Sequence, residues 1–364
     1  MRRSFLGFLA ASAAVIMPAN AQTAIPKPEA VQLDAGEGRT VALKLADELV
    51  KTFVLPDEAK DYAAMLRANA AAGRYDSGTR GALANLLSDD LMAVHKDGHL
   101  HVGVADPNEG KGADSGPPND FPPVIQSAKW IAPGIAYIRP SAFLSTDEEV
   151  QAFRTFMSDH SSAKTVIFDM RNHHGGRLGE MDAVFPYLFA TKTPLVRMEM
   201  ARSIYDQFGS PFGEAPTLKF VKDDRKITAT HYAVPGEATP LRKAKVYLLI
   251  SNKTASAGEH FSLAMKASGR ATLIGENTAG ANHFGGPAPL NDHFMVWMPV
   301  GRTYDIKTGK DWEGAGVSPD IAVDPKLALV TALEKAGLSH EEAVKLDAQE
   351  IPAEPVHSDK LRAR

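Results

Sequence analysis

The stretch AKVYLLISNKTASAGEHFSLAMKASG, residues 244–269, decides the fold of this chain. Its apolar run at 246–250 is too short for a helix and rich in β-formers, so it predicts a strand buried on both faces. After the loop SNKTA, apolar residues at helical spacing predict a helix that ends at Gly269. Ser256 therefore lies where a buried strand passes into a helix, at the carboxyl edge of a sheet.

The position of Ser256 has two interpretations. As a nucleophile, it would face the unpaired N–H groups of the first helical turn, which favour a developing negative charge. As a structural cap, Ser256-x-x-Glu259 is a capping box without chemistry. The local pattern leaves both interpretations open, so the rest of the chain has to decide between them.

The first 21 residues have the form of a signal peptide. Arg2 and Arg3 precede an almost wholly apolar or small stretch at 5–17, and Ala19-Asn20-Ala21 has the small-x-small form of a cleavage site. The apolar stretch is too short to span a bilayer stably, which makes a retained membrane anchor the less favoured alternative. We expect a bacterial periplasmic or secreted protein whose mature chain begins near Gln22.

The composition excludes several classes of function. The chain has no cysteine, which rules out a lipoprotein anchor, disulfides and a thiol nucleophile. A formal net charge of −4 gives no basic surface for nucleic acid or an anionic membrane. The roughly 340 residues after the signal are enough for a main domain and a smaller one. The oligomeric state cannot be read from the sequence.

The chain divides into successive regions by pattern. Three amphipathic segments at 39–98 predict an N-terminal helical bundle, which leads into a strand at 97–104. Residues 105–123 are a loop or linker dense in Pro, Gly, Asp and Asn. From 124 to 336, strands alternate with helices, which predicts an α/β sheet layered with helices. The tail at 348–364 has the composition of a disordered segment.

Three smaller predictions concern local structure within the α/β region. Ser145-x-x-Glu148 reads as a capping box at the start of a helix. The loops expected at 202–222 and 277–289 are long enough to wall a cleft. We hypothesise that these two loops set ligand preference.

Histidines mark the corner between the bundle and the first strand. His99 lies at that corner, flanked by His95 and His101. A metal cluster of these three is a weak alternative, because no carboxylate or cysteine pattern of a known zinc site completes it. The sequence therefore predicts no metal.

Two further motifs have a structural and a functional interpretation each. Gly175 and Gly176 follow a buried strand, and paired glycines there either form a tight turn or present free N–H groups to a ligand. They do not have the spacing of a phosphate loop. Glu313 lies in the Gly-rich loop GKDWEGAGVSPDIAV, where a lone carboxylate usually stabilises a turn.

Five motifs, in this order, resemble peptidase family S41, which contains the tail-specific, C-terminal processing and tricorn-core proteases. They are DGHLHV, DMRNHHGG, TASAGE, IGENTAGANHFG and WEGAGVSPDI, and the resemblance spans about residues 40–325. It implies a ClpP/crotonase-like layered α/β core preceded by a small helical bundle. It also implies a hydrolase that acts on a peptide or unfolded protein and needs no cofactor.

The resemblance distinguishes two branches of this family. The C-terminal processing branch pairs its serine with a lysine just after the glycine in a motif like GENTAGANHFG, and it carries a PDZ domain. Here Ala281 stands at that place, and the linker is too short for a PDZ domain. The chain more closely resembles the tricorn-core and interphotoreceptor retinoid-binding-type branch, which uses serine, histidine and glutamate.

The resemblance to that branch implies a role for each candidate residue. It makes Ser256 the nucleophile, His99 the general base and Glu313 the group that holds the imidazole directly or through another group. It places the oxyanion at the backbone N–H groups of Ala257 and of Gly175 or Gly176. One departure is Gly98, where tricorn-like members have a serine. The alternatives are a non-catalytic binder of a hydrophobic ligand or peptide and, subordinate to hydrolysis of peptides, an esterase-like activity.

Overall fold

The computed structural model describes residues 27–105, 123–213 and 215–350. The predicted signal peptide lies outside these ranges, as do most of the linker and of the C-terminal tail. The helices are α1 (Glu37–Thr52), α2 (Pro56–Ala71), α3 (Arg80–Val94), α4 (Asp147–Asp159), α5 (Gly179–Leu188), α6 (Arg202–Phe208), α7 (Ala257–Ala267), α8 (Ala328–Ala336) and α9 (His340–Asp347). The strands are β1 (His101–Val104), β2 (Ile125–Ala132), β3 (Ile135–Pro140), β4 (Thr165–Asp169), β5 (Thr193–Ala201), β6 (Leu218–Lys222), β7 (Lys226–Ala233), β8 (Lys245–Ile250), β9 (Thr272–Gly275), β10 (Phe284–Pro289), β11 (Phe294–Asp305) and β12 (Ile321–Ala322).

The predicted N-terminal helical bundle is confirmed and consists of α1, α2 and α3. In α1 the residues at helical spacing that face inward, among them Leu45 and Leu49, are fully buried. These helices share one apolar core with Leu100 of the following segment and with Phe294 and Val296 of β11. The bundle is thus packed directly on a sheet.

A mostly parallel sheet forms the centre of the α/β region. Its strand order is β12-β9-β8-β4-β3-β2, and only the β2–β3 pair is antiparallel. Val246, Leu248 and Ile250 of β8 face the core formed with α4, α5 and α7, whereas Tyr247 and Leu249 face α8 and α9. The predicted strand buried on both faces and the layered α/β class are confirmed.

The remaining strands form a second sheet, which the simple alternation of strands and helices did not predict. Its order is β1-β11-β5-β7-β6, with β10 paired to β11. Strand β5 belongs here because its buried residues alternate with less buried ones, as antiparallel strands with one core face require, whereas β3 and β4 are buried throughout.

Two loop predictions were wrong in part. Residues 202–222 contain α6 and β6; β6 pairs with β7, and its Leu218 packs in the core of the α/β region. The second half of 277–289 is β10, whose Gly- and Pro-rich sequence reads as a loop. Proline is tolerated there because β10 is an edge strand that pairs only with β11 among the described strands.

The predicted capping box at Ser145 was wrong by one residue. The cap of α4 is Thr146, whose hydroxyl oxygen accepts a hydrogen bond from Glu149 N at 3.2 Å. Ser145 instead donates its hydroxyl to the buried Glu180 carboxylate at 2.9 Å. Two overlapping capping registers exist in this sequence, and the contact with Glu180 selects between them.

No helix within the described ranges combines the length and the apolar character that crossing a membrane requires.

Candidate active site

Ser256 occupies the junction between β8 and α7 in a strained backbone conformation. Its φ is 52° and its ψ is −117°. An ordinary N-cap residue is extended, and a positive φ at a non-glycine residue costs about 1–3 kcal/mol. Among the residues described, only Ser145 shares this feature. Residues with a strained backbone are frequent at functional sites, so the geometry of Ser256 favours a nucleophile over a simple cap.

Of the paired glycines, Gly175 lies directly against Ser256 and Gly176 lies against Phe143. Gly175 and Gly176 have φ values of 102° and 125°. A Cβ on Gly175 would be 2.7 Å from Ser256 Cβ and 3.2 Å from its Oγ, and one on Gly176 would be 1.9 Å from Phe143 O. No side chain fits at either position, so glycine is required at 175 for the close approach to Ser256 and at 176 for the close approach to the Phe143 backbone.

Two backbone N–H groups on residues adjacent to Ser256 and Gly175 are free. In the described parts of the chain, the N–H groups of Ala257 and Gly176 donate no hydrogen bond. The Gly175 N–H is used differently, because it donates to His173 Nδ1 at 3.2 Å. Of the candidate oxyanion donors, Ala257 and Gly176 are therefore the two that are available to a ligand.

Glu259 links Ser256 to a second segment of the chain. Its carboxylate is fully buried. Oε2 accepts hydrogen bonds from Ser256 N and Ala281 N, both at 2.9 Å, and Oε1 accepts from Thr278 Oγ1 at 2.6 Å and Gly280 N at 2.7 Å. Burial raises the pKa of Glu259, against the effect of these hydrogen bonds. The capping box predicted only the contact with Ser256, whereas the carboxylate also fixes residues 278–281.

His99 lies at the corner after α3, against the same segment. A Cβ on Gly98 would be 3.0 Å from Ala281 Cβ, so the His99 corner packs on Ala281. Burial lowers the pKa of His99 to about 4, opposed by the Asp97 charge. His99 Nδ1 is buried and has no hydrogen-bond partner. Across the described ranges, no hydrogen bond joins His99 to Ser256, although Gly98 packs on Ala281 and Glu259 binds the N–H groups of both Ser256 and Ala281.

Glu313 contacts the backbone of the His99 corner rather than its imidazole. Its Oε1 accepts a hydrogen bond from Gly98 N at 2.7 Å. Its Oε2 accepts from Asn282 N at 2.6 Å and from His283 N at 3.0 Å. Glu313 therefore holds the turn that carries His99 against the segment that follows Ala281.

Asp97 and His283 belong to this site and were missed in the sequence analysis. His283 Nδ1 lies 2.7 Å from Asp97 Oδ2 and 3.8 Å from Glu313 Oε2. Burial works against the charged form of each group, but their mutual hydrogen bond lowers the pKa of Asp97 and raises that of His283. Burial, together with the charge of Asp97, raises the pKa of Glu313. Asp97 also accepts from His99 N at 2.8 Å, which makes this pair a support for the His99 corner.

The spacing of Asp97, His283 and Glu313 would also suit a metal ion, since their ligand atoms lie within 4.8 Å of one another. Each carboxylate, however, already accepts hydrogen bonds from protein donors. The two carboxylates thus have partners without an ion, whereas the buried His283 Nε2 has none. The other two histidines of the corner have separate partners: His95 Nε2 lies 3.0 Å from Asp61 Oδ2, and His101 Nδ1 lies 2.8 Å from His99 O.

Buried histidines near Ser256 make the free energy of unfolding depend on pH. Burial lowers the pKa of His173 to about 3 and that of His260 well below its ordinary value. In the unfolded chain both titrate near pH 6.5, so below that pH the unfolded state binds more protons. Each of the two histidines should therefore reduce the free energy of unfolding by up to ~1.4 kcal/mol per pH unit as the pH falls.

We expect His173→Asn to flatten the pH dependence of stability between about pH 6 and 4, because it removes one buried group that titrates only on unfolding. The measurement is urea-induced unfolding, followed by tryptophan fluorescence at several pH values. His340→Gln is the matched control, since the side chain of His340 is exposed. A slope that His173→Asn does not change more than the control would contradict the prediction.

Three comparisons place this chain among known proteins. The model of Peptidase family S41 matches residues 134–323, just over half of the chain. The chain is 31% identical over 215 residues to a chloroplastic C-terminal processing peptidase from Tetradesmus obliquus, a match that covers 57% of this chain and 40% of that protein. The chain thus spans well under two thirds of the length of this relative.

Two solved structures have a similar fold. One is the photosystem II D1 C-terminal processing protease, with a TM-score of 0.50, 16% identity, and coverage of 82% of this chain and 95% of the other. The second is a lipoprotein from Streptococcus agalactiae, with a TM-score of 0.52, 14% identity, and coverage of 83% and 97%. At these identities the likeness concerns the fold alone. Because the family model matches more than half of its residues, the chain belongs to peptidase family S41.

Proposed function

We propose that this protein is a serine-type peptidase with Ser256 as nucleophile, His99 as general base and Glu313 as a positioning group. The observation that carries the proposal is the strained Ser256, which packs against Gly175, with free backbone N–H groups on the neighbouring residues Ala257 and Gly176. A hydroxyl and an anion site in this relation suit acyl transfer. Membership of the S41 family supports the same reaction.

The proposed reaction uses the chain's own groups. Ser256 Oγ attacks the peptide carbonyl carbon while His99 takes the hydroxyl proton, and the oxyanion accepts hydrogen bonds from Ala257 N and Gly176 N. His99 then gives the proton to the leaving amine, and water releases the acyl group by the reverse sequence. The low pKa of His99 keeps it neutral at pH 7, as a base must be. Its hydrogen bond to Ser256 would form in the substrate complex, where catalytic contacts commonly tighten.

Glu313 acts through the backbone in this proposal. Tricorn-like relatives are expected to have a serine where this chain has Gly98, and the resemblance implied that Glu313 holds the imidazole directly or through another group. Here the carboxylate accepts the Gly98 N–H itself. Its contribution is to fix the turn that presents His99, together with the Asp97–His283 pair.

The substrate in this proposal is a peptide or an unfolded protein outside the cytoplasm. The signal-like N-terminus supports export to the periplasm or the medium, with cleavage near Ala21. Neither a metal nor another cofactor takes part in the proposed steps.

A second candidate is a non-catalytic binder of a hydrophobic ligand or peptide. It is favoured by the missing hydrogen bond between His99 and Ser256 and by the low pKa of His99, which makes it a weak base. Retention of serine, histidine, glutamate and the glycine pair together favours the peptidase.

One experiment separates these candidates. The mature protein, Ser256→Ala and His99→Ala are each incubated with a mixed peptide pool, and the products are read by mass spectrometry. We expect cleavage by the parent protein alone, with all three folded by circular dichroism. If the parent produces no cleavage and a serine-reactive phosphonate forms no adduct on Ser256, the binder is the better description.

His173 gives a further prediction for the oxyanion loop. Its Nδ1 accepts the Gly175 N–H, which orients the peptide unit next to Gly176. We expect His173→Leu to lower kcat by roughly 10- to 100-fold with little change in KM, because the donor to the oxyanion loses its alignment. His173→Asn should retain most of the activity, since its carbonyl oxygen can accept the same bond. Equal losses in the two variants would assign His173 to packing alone.

A further inference from the structure

A cavity of about 290 Å³ lies between the C-terminal end of helix α1, helix α6 and the edge of the antiparallel sheet. Its lining is mostly apolar and includes Met200, Ile204, Phe208, Gly285, Pro287 and Met298. Ile204 and Met298 are buried, whereas Phe208 is 71% exposed. An apolar cavity with an exposed aromatic ring beside it has the character of a ligand site.

One segment of chain connects the lining of the cavity to the candidate active site. Within residues 277–289, Ala281 N is bound to Glu259, and the next two amides are bound to Glu313. The lining of the cavity starts at Gly285, four residues after Ala281. Four residues of extended chain span at most ~14 Å, so the lining of the cavity begins within that distance of Ala281, which Glu259 links to Ser256.

We propose that this cavity is the subsite for one bulky apolar side chain of an extended peptide substrate, a few residues from the bond that Ser256 attacks. The inference rests on the proposed function and names its substrate class, a peptide with an apolar residue at a fixed distance from the cleavage point. The volume is at the lower end of the ~300–1,000 Å³ of small-molecule sites, which suits a single side chain.

The edge of β10 explains why a side chain, rather than the substrate backbone, carries the recognition. Pro287 and Pro289 lack N–H groups, and proline on an edge strand opposes the addition of another strand. Binding therefore depends on apolar contact inside the cavity. Residues 202–222 and 277–289 were expected to wall a cleft. Both segments line this cavity, so the proposed subsite is a specific version of that hypothesis.

Gly286 offers a way to fill the cavity without distorting the sheet. It lines the cavity, its backbone is outside the left-handed region, and a Cβ there would meet no atom within 4 Å. Gly286→Leu should therefore fold and occupy the space. Gly103→Leu is the matched control on β1 of the same sheet, where a Cβ would meet only Met295 Cγ at 3.7 Å.

The test measures peptide binding in a Ser256→Ala background by fluorescence anisotropy. The probes are a fluorescein-labelled twelve-residue peptide of Gly, Ser and Lys with one Phe, and the same peptide with Ser in place of Phe. We expect Gly286→Leu to weaken binding of the Phe peptide by roughly 10- to 100-fold, down to the level of the Ser peptide. Gly103→Leu should bind both probes like the Ser256→Ala parent.

The subsite and the peptidase activity are tested by different outcomes. If the parent does not distinguish the two probes, or if Gly286→Leu binds the Phe peptide as tightly as the parent, the subsite is overturned. Labelling of the unmodified protein at Ser256 by a phosphonate tests the proposed function by itself. In a chain that labels and cleaves, mapping the cut by mass spectrometry should find the Phe at one preferred spacing; cleavage without any fixed spacing also overturns the subsite.

Discussion

Replacing Ser256 with alanine is expected to lower kcat/KM for peptide hydrolysis by about 10⁴- to 10⁶-fold, because only binding and the oxyanion donors then remain to accelerate the reaction. The change removes one oxygen from a partly exposed side chain, so the free energy of unfolding should change by less than about 0.5 kcal/mol. Single-turnover hydrolysis and urea-induced unfolding measure the two quantities on the same preparations.

Ser268→Ala is the control for this substitution. Ser268 caps the other end of α7 with an ordinary φ of −78°, and its hydroxyl donates to Met265 O. It should keep the parent's activity. A Ser256→Ala protein that cleaves within tenfold of the parent would show that another group is the nucleophile.

Glu259→Leu is expected to have the largest effect on stability, at least about 4 kcal/mol. Four donors lose their acceptor at a buried site, namely the amides of Ser256, Gly280 and Ala281 and the hydroxyl of Thr278. Each donor left unsatisfied costs roughly 1–3 kcal/mol. The free energy of unfolding in urea measures the loss. Glu259→Gln should lose less, because it keeps one acceptor oxygen.

The exposed capping box of α9 supplies the comparison for Glu259. Glu342 Oε2 accepts a hydrogen bond from Ser339 N at 3.0 Å, as Glu259 does from Ser256, but at the surface. Glu342→Leu should therefore cost far less than Glu259→Leu. Equal losses would mean that Glu259 acts as a cap only and does not hold residues 278–281.

The sequence was sufficient for the parts of the site that depend on local pattern. The strand at 246–250, the start of α7 after Ser256 and the glycine pair after β4 all follow from apolar runs and turn residues close by in the chain. Strain at Ser256 could not be predicted, because the capping box gives the same residues an extended backbone. The φ of 52° accompanies a close contact with Gly175, which lies far away in the sequence.

Contacts over long separations could not be derived from one sequence. Asp97 and His283 are 186 residues apart, and no local sequence pattern indicates that they pair. The choice of Thr146 over Ser145 as the cap of α4 depends on Glu180, and the formation of strand β6 depends on its pairing with β7. In each case a tertiary partner decides between local alternatives that are similar in energy.

The shared core of the helical bundle and β11 has an evolutionary consequence. The candidate base at His99 lies on the short connection between α3 and β1, and Leu100 beside it is packed in the same core as the three helices and Phe294. A recombination event that exchanged the helices alone would leave that connection without its packing. We therefore expect related chains to keep or lose the helices, the histidine corner and the sheet together.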